Sequence, residues 1–150
     1  MSAKPLLEFV DTNILVYAYD QSAGDKHLRA KSLVTGLWRS TRGCLSIQVL
    51  QEFYVTCMRK QVAAEALRSI VADLALWHVH SPRPNEVTAA IDLSSRYQIS
   101  FWDAMILQSA TMMGCAIVWS EDLNSGQTYG DVRVMNPFLV AGAVATSSYG

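Results

Sequence analysis

Hydrophobic and polar residues follow two kinds of pattern along the chain. Five short runs, most of them rich in apolar residues, have the length of strands buried in a parallel sheet. They are Leu6–Val10, Gly43–Ser46, Leu76–His80, Cys115–Trp119 and Val132–Met135. Between Asp122 and Gly130 the chain is rich in residues that favour turns, so we predict a loop there.

The segments between these runs carry apolar residues at the spacing of an amphipathic helix. Ser46 is a suitable N-cap for the helix that follows it, and Gly114 is a suitable C-terminal glycine for the helix that precedes it. The predicted helices are Ile14–Tyr19, Lys26–Arg39, about Ile47–Lys60, Val62–Leu74, Glu86–Tyr97 and Phe101–Met113.

Strands that alternate with helices indicate βαβ units, so the chain is predicted to be α/β, with a central parallel sheet flanked by helices. Its length of 150 residues and its 51% hydrophobic content suit one domain with one core. We expect residues 6–138 to form that core. The tail from Ala141 to Gly150 is small and polar, and is expected to be loose.

The charges are few but unevenly distributed. A charged fraction of 17% and a net charge of -1 argue against disorder. Nine of the 12 Lys and Arg residues lie at or before Arg68, and Lys26–Arg39 is the most basic predicted helix. This asymmetry is compatible with a basic surface along a phosphate backbone, although it is also common in proteins that bind no nucleic acid.

The cysteines and the apolar runs indicate the cellular compartment in which we expect the protein. Cys44, Cys57 and Cys115 are odd in number and lack metal-ligand spacing, which indicates buried, reduced thiols in a cytoplasmic protein. No signal-peptide pattern precedes the first strand. The longest uncharged run, Ala104–Trp119, is too short to span a bilayer comfortably, so no membrane insertion is expected.

Two acids follow predicted strands and therefore belong at the edge of the sheet where ligands collect. Asp11 follows the first strand directly, and Asp122 comes shortly after Cys115–Trp119. The carboxyl ends of parallel strands face one crevice, so the two side chains can meet there. Each also has a purely structural interpretation, since Asp11 can cap the next helix and Asp122 can belong to a turn.

Two further acids lie on predicted helices. Asp103 stands three residues after Ser100, as in a capping box, and Glu52 lies on the polar face of its helix. Alone, each is explained without a function. Together with Asp11 and Asp122 they form a set of carboxylates suited to one or two Mg²⁺ or Mn²⁺ ions, which can activate water against a phosphodiester.

Four segments of the chain resemble the PIN-domain family, in the same order along the chain. They are Phe9–Leu15, Gln51–Tyr54, Phe101–Ile106 and Trp119–Gln127. The likeness spans roughly residues 6 to 138, and it is greatest to the VapC-type toxins of bacterial toxin-antitoxin pairs.

This resemblance implies a function and a set of site residues. It implies that Asp11, Glu52, Asp103 and Asp122 bind the metal, that Thr12 or Ser120 assists, and that Asn13 stabilises the site by hydrogen bonding. It also implies an endoribonuclease that cleaves structured RNA, such as transfer RNA, by metal-activated water. A homodimer and a cognate antitoxin are expected as partners. Basic residues expected to bind the RNA are Lys26, Arg29, Lys31 and Arg59.

Two rival hypotheses remain open at this point. A phosphatase with an aspartyl nucleophile also begins with an Asp after its first strand, but needs a second Asp where this chain has Asn13. A catalytically weak PIN-fold binding module, acting through its antitoxin complex, would retain the acids without cleaving RNA. No glycine-rich phosphate loop and no Gly-x-Ser-x-Gly motif is present.

Overall fold

The computed structural model describes residues 6–139, which form six α-helices, six strands and a 3₁₀ turn at Gln21–Ala23. The strands are β1 (Glu8–Val10), β2 (Gly43–Ser46), β3 (His78–His80), β4 (Ile117–Trp119), β5 (Thr128–Tyr129) and β6 (Val132–Met135). The helices are α1 (Thr12–Tyr19), α2 (Asp25–Ser40), α3 (Ile47–Lys60), α4 (Leu67–Leu74), α5 (Pro84–Tyr97) and α6 (Phe101–Met113). The tail predicted to be loose lies outside the described residues.

The strands form one sheet in the order β3-β2-β1-β4-β6-β5. Every pairing is parallel except that of β5 with β6, which is antiparallel. The predicted α/β fold with a parallel sheet and flanking helices is thereby confirmed. The strand order places β1 and β4 side by side, so the acids that follow them come from neighbouring strands.

Strand β5 is absent from the sequence prediction, which gave a loop over Asp122–Gly130. Thr128 and Tyr129 pair with β6 across a tight turn in which Gly130 has a φ of +60°. A strand of two residues is too short to show an alternating pattern, so no local signal distinguishes it from a turn.

Helices α3 and α6 have the predicted bounds, and their caps explain why. The Ser46 hydroxyl accepts a hydrogen bond from the backbone N–H of Val49, and Ser100 does the same for Asp103. Gly114 ends α6 with a φ of +73°, a conformation that glycine adopts without steric cost. The cap at Ser100 fixes the first turn of α6, which carries the predicted site residue Asp103.

The predicted helix Val62–Leu74 is shorter in the structure, where α4 begins at Leu67. The backbone N–H of Val62 bonds to the carbonyl of Cys57 and closes α3, and Ala63 then has a φ of +48°. The apolar spacing was a valid guide to burial, because Val62, Leu67 and Leu74 are all buried. It could not show that the backbone leaves the helix between them.

The core lies on the central strands and the helices packed against them. Phe9, Leu45 and Val118 of three adjacent strands are fully buried. All three cysteines are buried free thiols, as predicted. In the described part of the chain, none of the helices has the length and hydropathy required to cross a membrane.

Candidate metal site

Asp11 occupies the junction between β1 and α1. Its backbone N–H donates to the carbonyl of Trp119 at 2.9 Å, which extends the pairing of β1 with β4 by one residue. Its carboxylate accepts from the N–H of Thr12 at 2.7 Å, so Asp11 caps α1. The side chain is buried. The capping interpretation is therefore correct, and it does not exclude a second role, because the other carboxylate oxygen faces Ser120.

Ser120 links Asp11 to Asp122. Its hydroxyl donates to Oδ2 of Asp11 at 2.8 Å and accepts from the backbone N–H of Asp122 at 3.1 Å. Its own N–H donates to the carbonyl of Met135, which fixes it at the end of β4 beside β6. One buried hydroxyl thus sets the position of two predicted site residues.

Asp103 completes a cluster of three acids. It lies in the first turn of α6, where its N–H donates to the Ser100 hydroxyl at 3.1 Å. One carboxylate oxygen from each of Asp11, Asp103 and Asp122 lies within 4.8 Å of the others. Over residues 6–139 this is the one group of three or more His, Cys, Asp or Glu side chains that meets such a distance.

The cluster is electrostatically unfavourable without a counter-charge. The pKa of Asp11 is raised to about 7, mainly by burial; the hydrogen bonds from Ser120 and Thr12 lower it, and the charges of Asp122 and Asp103 contribute a smaller rise. Burial also raises the pKa of Asp103, with a smaller contribution from Asp122. Ionised carboxylates that are buried and close together repel one another, so this cluster is expected to attract a cation.

The residues present fit a divalent ion. The three candidate ligands offer carboxylate oxygens, the donors that Mg²⁺ and Mn²⁺ prefer. Two buried polar atoms directly after Asp11, Oγ1 of Thr12 and Nδ2 of Asn13, have no hydrogen-bond partner among the described residues. Buried polar groups are normally paired, so these two atoms indicate that polar groups from solvent or a ligand belong beside the cluster.

Glu52 lies apart from the three clustered acids. It is exposed on α3, and its carboxylate accepts a hydrogen bond from Nε2 of Gln48 at 2.7 Å. The same Nε2 also donates to the carbonyl of Trp102, the residue before Asp103. Glu52 therefore faces the start of α6 without being part of the cluster, and its role as a ligand stays a prediction.

The four predicted RNA-binding residues have different surroundings. Lys26 forms an ion pair with Glu121, and Arg29 pairs with Asp25 at 3.0 Å within α2. Lys31 and Arg59 are exposed and have no ion pair in the described part of the chain. Sequence reasoning did not single out Glu121, although its place directly before Asp122 was an available signal.

A profile of the PIN domain matches residues 9–129, which is most of the chain and includes the three clustered acids. The chain belongs to the PIN domain family. The family resemblance seen in four segments is thereby confirmed.

Solved structures agree with this PIN domain in fold. VapC20 of Mycobacterium tuberculosis, described as a toxin that cleaves the sarcin-ricin loop, matches with 22% identity and a TM-score of 0.60, over 77% of this chain and 89% of VapC20. A toxin-antitoxin complex from Klebsiella pneumoniae matches with 18% identity and a TM-score of 0.65, over 87% and 97%. At these identities the likeness shows the fold alone. No curated protein sequence matches the chain.

Proposed function

We propose that this PIN domain is a divalent-metal-dependent endoribonuclease and the toxin of a toxin-antitoxin pair. The observation that carries the proposal is the convergence of Asp11, Asp103 and Asp122, whose carboxylate oxygens lie within 4.8 Å of one another at the carboxyl edge of the sheet. A helix cap or a turn requires only one acid, so neither explains why three carboxylates lie this close together.

Each site residue has a distinct task in this proposal. Asp11, Asp103 and Asp122 hold Mg²⁺ or Mn²⁺, and Glu52 contributes through water or with a second ion. Ser120 orients two of the ligands. A bound ion of this kind supplies the positive charge that lowers the pKa of water and stabilises the oxyanions of a phosphodiester.

The small polar residues after Asp11 suit a bound water beside the cluster. Oγ1 of Thr12 and Nδ2 of Asn13 are buried and have no hydrogen-bond partner in the described residues, so each can bond to an enclosed water. Of the basic residues, Lys31 and Arg59 are exposed and available to phosphates, giving salt-sensitive association. We expect a structured RNA, such as transfer RNA, in the cytoplasm.

Protein partners are supported by apolar side chains left on the surface. Helix α3 exposes 39% of Ile47, 45% of Tyr54, 58% of Val55 and 47% of Met58, while its other face is buried. Trp102, beside Gln48 of α3, is 62% exposed. Apolar groups in this number suit a protein interface, so we propose a homodimer and a cognate antitoxin. The Klebsiella pneumoniae relative is itself a toxin-antitoxin complex.

The experiment that tests the function is cleavage of total cellular RNA by the purified, antitoxin-free protein. Wild type is compared with Asp103→Asn and with Asp92→Asn, a matched control in which the acid is exposed on α5 and is not part of the cluster. Each is incubated with Mg²⁺, with Mn²⁺ or with EDTA.

The proposal predicts discrete fragments from wild type and Asp92→Asn with metal, and none from Asp103→Asn or with EDTA. Cleavage that survives in Asp103→Asn would refute the site. Binding of RNA with no cleavage in any condition would favour the catalytically weak binding module instead.

A further inference from the structure

Glu121 lies between two site residues and is held from a distant part of the chain. Its Oε1 accepts a hydrogen bond from the hydroxyl of Tyr17 at 2.9 Å, and its Oε2 is paired with Nζ of Lys26. Its backbone N–H points to Oδ1 of Asn13 at 3.4 Å. Both carboxylate oxygens are thus occupied by residues about a hundred positions earlier in the chain.

Two aromatic rings restrict the position of the Lys26 side chain. Its ammonium lies 5.1 Å from the ring centre of Tyr17 and 5.4 Å from that of Phe138, and these two rings meet edge to face at 5.3 Å. Cation–π contacts of this kind favour one position of an otherwise flexible side chain. Tyr17, Lys26 and Glu121 together are called the Glu121 clasp below.

The clasp matters because little else holds Asp122. Asp122 is exposed, and its carboxylate accepts no hydrogen bond from the described residues. Its backbone N–H bonds to Ser120, so its position depends on the short segment of residues 120–122. Ser120 anchors one end of that segment through Asp11, and Glu121 in its middle is held by the clasp and by the bond from its backbone N–H to Asn13.

The clasp also determines where a fourth negative charge points. An unpaired Glu121 would be a free carboxylate one residue from Asp122, and its negative charge would repel that carboxylate from its place in the cluster. With Tyr17 and Lys26 on its two oxygens, Glu121 is directed toward α1 and α2 and its charge is balanced. Replacing a residue that orients metal ligands in this indirect way typically weakens metal binding by about 10–100-fold.

We propose that Tyr17 and Lys26 are positioning residues, which hold Glu121 so that Asp122 faces Asp11 and Asp103 and completes the divalent-metal site. This inference rests on the proposed function, because it assumes that the cluster binds a metal. It gives Lys26 a role different from the RNA contact expected from its charge alone.

The test is Mn²⁺ affinity, measured by titration of free Mn²⁺ with electron paramagnetic resonance, which needs no RNA. Lys26→Met should raise the Kd for Mn²⁺ by about 10-fold, the lower end of the effect of residues that orient ligands. Tyr17→Phe, which removes only a hydroxyl, should raise it by a smaller factor, and Lys26→Arg should recover most of the affinity. Lys60→Met, which replaces an exposed lysine at the end of α3, should leave it unchanged.

A second measurement separates positioning from RNA contact. The KM for a short RNA substrate and its salt dependence are compared between wild type and Lys26→Met at saturating Mn²⁺. An unchanged Kd for Mn²⁺, together with a raised KM and a weaker salt dependence, would overturn the inference and make Lys26 a phosphate contact. If Lys26→Met does not fold, an unchanged Kd in Tyr17→Phe overturns it equally. Wild-type protein that binds no Mn²⁺ would refute the metal site itself, which is a different result.

Discussion

Replacing Asp11 by Asn should make the metal-free protein more stable at neutral pH. The pKa of Asp11 is raised from its ordinary 3.8 to about 7, mainly by burial. The folded state therefore holds this proton more tightly than the unfolded state. Stability must fall as pH rises between the two pKa values, because in that range the folded state binds more protons. Asn has no proton to lose, so this decline should be absent from the variant.

The size of the effect follows from the shift. Each pKa unit corresponds to about 1.4 kcal/mol, and a shift of about three units gives roughly 4 kcal/mol between pH 4 and pH 7. Asn keeps the acceptor for the N–H of Thr12, but its amide requires the Ser120 hydroxyl to turn and accept. The loss of a hydrogen bond lowers the free energy of unfolding of the variant by on the order of 1 kcal/mol. Asp11→Asn should therefore still be more stable than wild type at pH 8.

The assay is urea unfolding in EDTA at pH 5 and pH 8, for wild type, Asp11→Asn and the exposed-acid control Asp92→Asn. From pH 5 to pH 8 the free energy of unfolding of wild type should fall by about 3 kcal/mol relative to that of Asp11→Asn. About two of the three pKa units of the shift lie in this pH range. Added Mn²⁺ should stabilise wild type at pH 8 and leave Asp11→Asn unaffected. Parallel profiles for wild type and Asp11→Asn would show that Asp11 is not held at a raised pKa.

Three further substitutions test other parts of the account. Gly43→Ala should lower the free energy of unfolding, measured with urea, by about 1–3 kcal/mol, because the added Cβ would lie 2.4 Å from ring carbons of Trp77. An unchanged free energy of unfolding would mean that the Trp77 ring moves freely. Ser120→Ala should weaken Mn²⁺ binding in calorimetry by at least 10-fold, since Asp11 loses its donor, and equal affinity would remove Ser120 from the site. Glu52→Gln should weaken Mn²⁺ binding only a few-fold in the same assay; complete loss would make Glu52 a direct ligand.

The parts of the site that the sequence predicted depend on strand ends. The sequence predicted that the side chains of Asp11 and Asp122 can meet, and they lie close together in the structure. This prediction needed only the assumption that parallel strands end at a common edge of the sheet. The position of Asp103 after Ser100 predicted only a helix cap, which the structure shows, and its place in the set came from the resemblance to the PIN-domain family. Strand ends and caps are local features that the sequence pattern can indicate.

The parts that the sequence could not predict depend on long-range contacts or very short elements. The hydrogen bond between Tyr17 and Glu121 joins residues 104 positions apart, and no local pattern indicates it. The two residues of β5 become a strand only through their pairing with β6. The turn at Ala63 interrupts a stretch whose apolar spacing is continuous, because burial alone does not require a continuous helix.

The most direct test of the central claim is the position of Mn²⁺ in a crystal of the wild-type protein, found from its anomalous scattering. The account predicts a peak among Asp11, Asp103 and Asp122, about 2.0–2.3 Å from their carboxylate oxygens, as for small divalent ions bound by oxygen. The peak should disappear in Asp103→Asn. An ion bound elsewhere, or no ion at the cluster in protein that cleaves RNA with Mn²⁺, would contradict it.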